Sequence, residues 1–466
     1  MKPSHVDQTL ATPESQGQAG AFYVYAISFG AAVGGFLFGY DLAVVGGAQL
    51  LLEKYFSLDA AGLGWATSSA LLGCAVGPLV AGFMADRLGR KNTLIAGSLL
   101  LAVSAIGTSL PEDISTYNLF RIVGGIGVGI CSIVSPMYIA EIAPARIRGA
   151  LVTVNQLAIV LGCLVSYIVA QGLLGLFSHD VAWRWMFGLE CVPILFFVIY
   201  LLFVPRSPRW LAENGRSEEA LTVLTRIQGR EAALRELDGM EGLREAKTGR
   251  YSDVFRPGVR FALLVAVTLA VLQQWTGVSV LSSYLPKIYQ AAGYERIADA
   301  VWLSVVTYIF NLAMTAVALW LVDKTGRRPL LLVGSAGMVL GLLCLGLVFF
   351  LNVGGIAVLL AMLIAQAAYL TSLAPVTWII MSEIFPTRIR GRAMGIAALS
   401  LWIACFLGVR YLPVLMEAFE GRFGSPAGVF WLFAGVCVFA YWFCWKWVPE
   451  TKGRTLEEIA QSWRRG

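Results

Sequence analysis

Stretches of apolar residues separated by short charged clusters recur along the whole 466-residue chain. An α-helix needs about 20 such residues to cross a hydrocarbon core, so each long stretch predicts one spanning helix. Twelve qualify: residues 22–47, 64–84, 92–110, 117–140, 151–174, 184–204, 260–286, 298–322, 330–351, 356–382, 392–416 and 427–448. One longer polar segment, Pro205 to Arg260, follows the sixth and divides the chain six and six. The expected organisation is an all-α membrane protein with an N-terminal tail (1–21), a first six-helix bundle (22–204), a helical linker (205–259), a second bundle (260–448) and a C-terminal tail (449–466).

Within the linker, Ser217 followed by Glu218 and Glu219 reads as a helix start, because a hydroxyl cap and an acidic first turn suit the free amides there. EALTVLTRI then sets apolar residues at helical spacing, and EAALRELDGMEGLREAK predicts a second helix rich in charge. The segment shows no nucleophile motif, phosphate loop or metal cluster. Short amphipathic helices over one membrane face are expected, and not a catalytic domain.

Composition agrees with a bilayer. A soluble domain carries about a quarter charged residues, whereas this chain has 14 % charged and 58 % hydrophobic residues and a mean hydropathy of +0.73. Its 49 glycines fall largely inside the spans, as at Gly124, Gly125, Gly127 and Gly129, where a missing side chain lets helices approach. The eight cysteines also lie in spans and lack metal-ligand spacing, so they read as packing residues. No metal and no cofactor is expected. The first 20 residues lack the pattern of a cleavable signal, which leaves insertion to the first span.

The net charge of +6 does not point to nucleic acid, because the basic residues concentrate in particular loops. Arg87, Arg90 and Lys91; Arg146 and Arg148; Lys324, Arg327 and Arg328; Arg388, Arg390 and Arg392; and Lys452, Arg454, Arg464 and Arg465 all follow even-numbered spans. The opposite loops are poor in them, so the positive-inside bias predicts cytoplasmic termini.

Two of these loops repeat. Glu141 to Gly149 reads EIAPARIRG, and 242 positions later (383 − 141) Glu383 to Gly391 reads EIFPTRIRG. Ala85 to Lys91 (ADRLGRK) recurs 237 positions on (322 − 85) as VDKTGRR from Val322 to Arg328. A charged pattern repeated at nearly one offset between apolar stretches implies two related halves, the organisation of a transporter.

Ten further motifs, in order and on consistent sides of the spans, resemble the sugar porter family of the major facilitator superfamily. They are FGYD (Phe38 to Asp41), GxxADRLGRK (Gly82 to Lys91), RIVGGIGVG (Arg121 to Gly129), NQ (Asn155, Gln156), WRWMF (Trp183 to Phe187), RSPRW (Arg206 to Trp210), QQWTG (Gln273 to Gly277), DKTGRR (Asp323 to Arg328), PVTW (Pro375 to Trp378) and PETKGR (Pro449 to Arg454). The resemblance covers nearly the whole chain. It implies two pseudo-symmetric six-helix bundles, a central site, and alternating access by rocking of the bundles. The repeated loops then become a cytoplasmic charge network of Asp86, Arg90, Glu141 and Arg148 with Asp323, Arg327, Glu383 and Arg390, holding the bundles together when the site faces outward. Topology-setting charge alone would explain the arginines but not the matched acids.

Asp41 lies deep in the first span and Arg121 opens the fourth. A lone ion at that depth costs about 2.5 kcal/mol or more, so each needs a partner or a wet cavity. Burial favours the neutral carboxyl and the cation favours the carboxylate, so protonation of Asp41 would release Arg121. The resemblance implies that Asp41 is the proton acceptor, Arg121 its partner and Glu190 a third member. The alternative is a permanent structural pair.

Sugars call for amides, hydroxyls and an aromatic face. Gln156, Gln273, Gln274 and Asn311 are amides inside spans, and Phe38, Tyr369, Trp378 and Trp402 supply aromatic walls. The resemblance assigns Gln156, Gln273, Gln274, Asn311 and Trp378 to the sugar site. Adjacent Gln273 and Gln274 point about 100° apart on a regular helix, so facing one ligand together requires a wide cleft or an unwound turn. Three positions depart from the family: Ser279 and Leu401 replace amides, and Ser283-Tyr284 replaces a Tyr-Tyr pair. Arg206 stands where the family has Glu, and Arg410 interrupts an apolar span, either snorkelling outward or facing the cavity.

The sequence thus reads as a monomeric, proton-coupled importer of a hexose or pentose in a cytoplasmic membrane, and not an enzyme. A facilitator, a cyclitol or polyol porter, and a non-transporting sensor remain as alternatives.

Overall fold

The computed structural model describes residues 13–144, 147–243, 251–256, 259–385 and 389–452. The first half holds α1 (Pro13–Tyr55), α2 (Ala60–Leu88), α3 (Arg90–Ser109), α4 (Ile114–Ile142), α5 (Arg148–Leu176), and α6 (His179–Gly188) followed by α7 (Cys191–Phe203). A linker follows with α8 (Pro208–Glu213), α9 (Ser217–Gln228) and α10 (Arg230–Leu243). The second half holds α11 (Arg260–Trp275), α12 (Val278–Ser282), α13 (Leu285–Ala291), α14 (Ile297–Thr325), α15 (Arg327–Phe350), α16 (Ile356–Leu370), α17 (Leu373–Glu383), α18 (Arg390–Phe423) and α19 (Ala427–Trp447). Twelve helical segments among the described residues are long and apolar enough to cross a membrane, as the apolar pattern predicts.

Helix ends and breaks depart from that pattern for local reasons. α1 continues to Tyr55, beyond the expected 47, with Lys54 in its last turn complementing the exposed carbonyls. Asp59 and Asp113 cap α2 and α4, accepting from the amides of Gly62 at 2.6 Å and Thr116 at 2.9 Å. The Thr116 amide holds the Asp113 carboxyl below its usual range. Three expected spans are discontinuous: 184–204 breaks between α6 and α7, 260–286 after α11, and 356–382 between α16 and α17. Pro193 in α7 and Pro375 in α17 stand in the first turn of the restart, as does Pro286 in α13 after the short α12, and each lacks the N–H that would continue the preceding helix. Gly277 adds a left-handed turn after α11, φ +87°, that a side chain would strain.

The halves pack alike. In the first, α1 lies on α5, α2 and α3 on α4, and α3 on α6 and α7; in the second, α11 lies on α18, α14 and α15 on α16, and α15 on α19. The halves meet through two equivalent pairs, α2 with α18 and α5 with α14. Backbone contact makes these packings tight: a Cβ on Gly125 of α4 would lie 1.9 Å from the Ala70 carbonyl oxygen, and one on Gly73 of α2 would lie 2.1 Å from that of Ile122.

In the linker, α9 buries Ala220 against Trp210, Leu211 and Ala212 of α8. Its start differs from expectation. Arg216 and not Ser217 occupies the cap, and the Arg216 guanidinium pairs with Glu219 at 2.6 Å in the acidic first turn. Beyond Leu243, the end of the expected second linker helix lies outside the described residues, as does the C-terminal tail from 453.

Gly125→Ala is expected to destabilise the protein by about 2 kcal/mol or more, the scale of overpacking against an unyielding backbone. Gly82→Ala, whose Cβ meets nothing within 4 Å, is expected to be neutral. Thermal unfolding of both in detergent checks this.

Candidate transport site

At the middle of the first half, Asp41 of α1 faces Arg121 of α4. Nη1 of Arg121 donates to Asp41 Oδ1 at 2.6 Å, and Nη2 donates to the Asp41 backbone carbonyl at 3.0 Å. Both side chains are 1 % exposed. Beside the pair, Gly124 of α4 packs so closely on α3 that a Cβ there would stand 2.2 Å from Ser104 Oγ. The Phe187 ring lies 5.4 Å from the guanidinium carbon. Glu190, placed by the break between α6 and α7, is buried within electrostatic reach of both ions but forms no ion pair with either among the described residues. Asp41 Oδ2, Arg121 Nε and Glu190 Oε1 are buried without hydrogen-bond partners. Such unpartnered atoms are exceptions to the rule that buried polar groups are paired.

The candidate sugar residues lie on both halves. Gln273 and Gln274 end α11 just before its unwound turn, and Gln274 Nε2 approaches Gln273 Oε1 at 3.4 Å. Both N–H groups of Gln273 Nε2 are taken by carbonyls at the start of α17, Leu373 at 3.1 Å and Ala374 at 2.8 Å. The oxygens Gln274 Oε1, Asn311 Oδ1 and Thr377 Oγ1 are buried and unpartnered. Phe38 of α1 meets Trp402 of α18 edge-on at 6.0 Å, joining the halves. Ser279 faces Tyr369 within hydrogen-bonding reach. Gln156 is exposed and Trp378 half-buried, and among the described residues no hydrogen bond or ring contact joins Gln156, Asn311 or Trp378 to the others. The departing Leu401 is buried.

A family model for sugar (and other) transporters matches residues 27–463. The chain belongs to the sugar transporter family. The arabinose-proton symporter of Bacillus subtilis (strain 168) is 38 % identical over 447 residues, covering 95 % of each chain. The inward-open structure of the xylose transporter from Escherichia coli superposes with a TM-score of 0.84 at 34 % identity, covering 94 % of this chain and 100 % of that one. A major facilitator proton:xylose symporter bound to 6-bromo-6-deoxy-D-glucose gives 0.79 at 34 % identity, covering 95 % and 99 %. The protein is therefore a multi-pass membrane transporter of the major facilitator fold, and not an enzyme.

On the membrane face that carries the termini, this sugar transporter builds one charge cluster twice. Arg90 Nη2 pairs with Glu141 Oε1 at 2.7 Å, and Arg327 Nη2 pairs with Glu383 Oε1 at 3.0 Å. Ser207 donates to the other oxygen of Glu141, and Thr451 to that of Glu383, each at 2.5 Å. Arg148 and Arg390 direct Nε to the carbonyls of Ala143 and Phe385, each at 3.4 Å. Both ion pairs stay within one half. Asp86, expected in the network, is exposed; its backbone carbonyl, and not its carboxylate, accepts from Trp210 Nε1 at 2.9 Å. The Asp323 side chain, Arg146 and Arg388 lie outside the described residues.

Ser207 and Thr451 stand 244 positions apart (451 − 207), so the repeat offset alone could have added them to the network. Their neighbours break the symmetry. Glu450 caps α15, accepting from the amides of Arg327 at 3.0 Å and Arg328 at 3.1 Å. Burial pushes its carboxyl up, but the amides of Lys452, Arg327 and Arg328 outweigh this and hold it below its usual range. Arg206 takes the equivalent place in the first half and lies over the Trp210 ring at 5.4 Å.

Glu141→Ala leaves the Arg90 guanidinium, 7 % exposed, with only the more distant Glu213 Oε2 at 4.0 Å, whereas Glu383→Ala leaves that of Arg327 16 % exposed. The first is expected to cost about 3 kcal/mol and the second clearly less, because water reaches Arg327 more readily. Thermal midpoints of the two variants check the ranking.

Proposed function

We propose that this transporter imports a monosaccharide with a proton, by alternating access, across a cytoplasmic membrane, as a monomer with both termini inside. The observation that carries the reading is the sealed Asp41–Arg121 pair with its unfilled Asp41 Oδ2. A proton bound there cancels the charge that holds Arg121 and loosens α1 from α4, so occupancy of one carboxylate is tied to helix positions. Glu190, within reach of both ions, takes part in that network. The names of the relatives, an arabinose-proton and a proton:xylose symporter, support the substrate class and the coupling ion.

The opposing open and closed faces support alternating access. On the face away from the termini, Lys287 of α13 pairs with Glu53 of α1 at 2.7 Å, and Tyr167 of α5 stacks on Tyr308 of α14 at 5.1 Å. The superposition on the inward-open xylose transporter, TM-score 0.84, exceeds that on the sugar-bound symporter, 0.79, which supports an opening at the termini face. With the basic loops on that side, this is an inward-facing state. The paired clusters of Arg90, Glu141, Arg148, Arg327, Glu383 and Arg390, with Asp86 and Asp323 beside them, are the groups that would meet across the halves when the cytoplasmic face closes.

Sugar hydroxyls are the natural donors for the orphan oxygens of Gln274 and Asn311. Gln156, Gln273, Ser279 and Tyr369 complete the polar lining, and Phe38, Trp378 and Trp402 cover the C–H surface. A second reading, a less hydroxylated or bulkier ligand, is favoured by buried Leu401 in an amide position and by Gln273 having spent both donors on α17.

In proteoliposomes, Asp41→Asn is expected to abolish uphill uptake under an inward proton gradient while keeping sugar counterflow. Gradient-driven accumulation by the variant would sink the coupling role. Asn311→Ala is expected to raise KM for the accepted sugar roughly tenfold, one hydrogen bond to a buried acceptor, without changing the proton-to-sugar ratio. Initial-rate uptake with parallel pH recording measures both.

A further inference from the structure

Arg410 lies in the apolar α18, where a cation without partners would not be tolerated. Half-buried, it reaches across from one half of the protein to the other. Its Nη1 donates to the backbone carbonyl of Ala61 in the first turn of α2, across the interface between the halves. Its guanidinium carbon lies 5.5 Å from the Trp65 ring centroid, also on α2. The two helices touch here through backbone: a Cβ on Gly64 would lie 2.1 Å from the Arg410 carbonyl oxygen. Around this point Trp65 meets Phe406 edge-on at 6.0 Å, and Tyr284 Oη donates to the Val409 carbonyl at 2.8 Å.

We propose that Arg410 is a positioning residue that holds the extracellular face shut and so sets the balance between inward-facing and outward-facing states. Both of its cross-interface partners belong to α2, so separating α2 from α18 at Gly64 removes the carbonyl and the ring in one step. The hold therefore exists only while that face is closed, which is the condition for biasing the equilibrium. Its strength suits release. The acceptor is a neutral carbonyl, and among the described residues Arg410 has no carboxylate within ion-pair distance. A wet destination lies nearby: a cavity of about 490 Å³ begins one turn above, at Ala60, Pro413 and Met416, and contains Glu417 and Glu420. A guanidinium freed from α2 can be hydrated there, so opening does not strand a bare charge.

The inference rests on the alternating-access reading but on neither the sugar nor the proton, and its test uses neither. Spin labels on cysteines introduced at exposed Lys54 and Arg422, in the full chain with native cysteines replaced, report the opening of the far face in nanodiscs at neutral pH. The parent protein is expected to show mainly the short distance. Arg410→Met, which keeps the bulk but loses donor and charge, is expected to raise the ratio of long to short distances roughly tenfold, the scale of one charge-assisted hydrogen bond. Arg410→Lys restores part of the short population. Trp65→Leu shifts the ratio the same way by a smaller factor, and decides the matter if Arg410→Met does not fold. An unchanged distribution, or a shift toward the short distance, overturns the proposal. A single distance that no variant moves would instead count against alternating access itself.

Discussion

A carboxylate and a guanidinium sealed within the first six helices constrain everything around them. Asp41 and Arg121 leave water together, and a pair at that depth is tolerated only when each satisfies the other and the backbone nearby. The packing meets this demand. Glycines let α2 and α4 approach until backbone meets backbone, and Gly124 lets α3 close on α4 beside the pair. The break between α6 and α7 brings Glu190 within electrostatic range. The match is incomplete, with a free oxygen on Asp41 and a free N–H on Arg121. A fully satisfied pair would be a strut; an incompletely satisfied one retains a site where a proton changes the local charge.

The duplication explains the scaffold, and its failures locate the specialisation. Arg90–Glu141–Ser207 and Arg327–Glu383–Thr451 repeat so closely that their hydroxyl contacts agree in length at 2.5 Å. Equivalent clusters on equivalent helices give two rigid bodies of similar shape, which rocking requires. Glu450 seals the start of α15 through two backbone amides, while Arg206 in the matching position turns onto Trp210. The start of α15 is thus sealed by a carboxylate cap, whereas in the first half Trp210 of the linker reaches α2 by donating Nε1 to the Asp86 carbonyl at 2.9 Å.

Much of this was legible in the sequence. The twelve spans follow from one constraint, the thickness of hydrocarbon, which acts on length and polarity alone. Breaks were less legible: Pro193, Pro286 and Pro375 begin new segments, yet Pro78, Pro136 and Pro413 sit inside unbroken α2, α4 and α18. Whether a proline ends a helix depends on neighbours that supply or deny a partner to the freed carbonyl, and those neighbours are tertiary. The adjacent glutamines called for an unwound turn or a wide cleft if both face one ligand; both lie within regular α11, and the turn at Gly277 comes three residues past Gln274. That Gln273 would spend its donors on Leu373 and Ala374, 100 and 101 positions away, could not be read from the chain. Nor could the partner of Arg410, a backbone carbonyl 349 positions away with no side chain to mark it.

The two arginines at depth show how partner choice divides labour between holding and moving. Arg121 meets a carboxylate inside one half, so a rocking motion that keeps each half rigid leaves the pair intact, and only a change in charge can loosen it. Arg410 meets a carbonyl in the other half, so the same motion must break its contact every cycle. A buried carboxylate in place of Ala61's carbonyl would make that break far more costly, because separation would leave two uncompensated ions. A neutral acceptor with an aromatic face leaves only one, and the acidic cavity a turn away receives it. Charge paired within a half suits a switch worked by a proton, and charge held by a dipole across the halves suits a latch worked by motion.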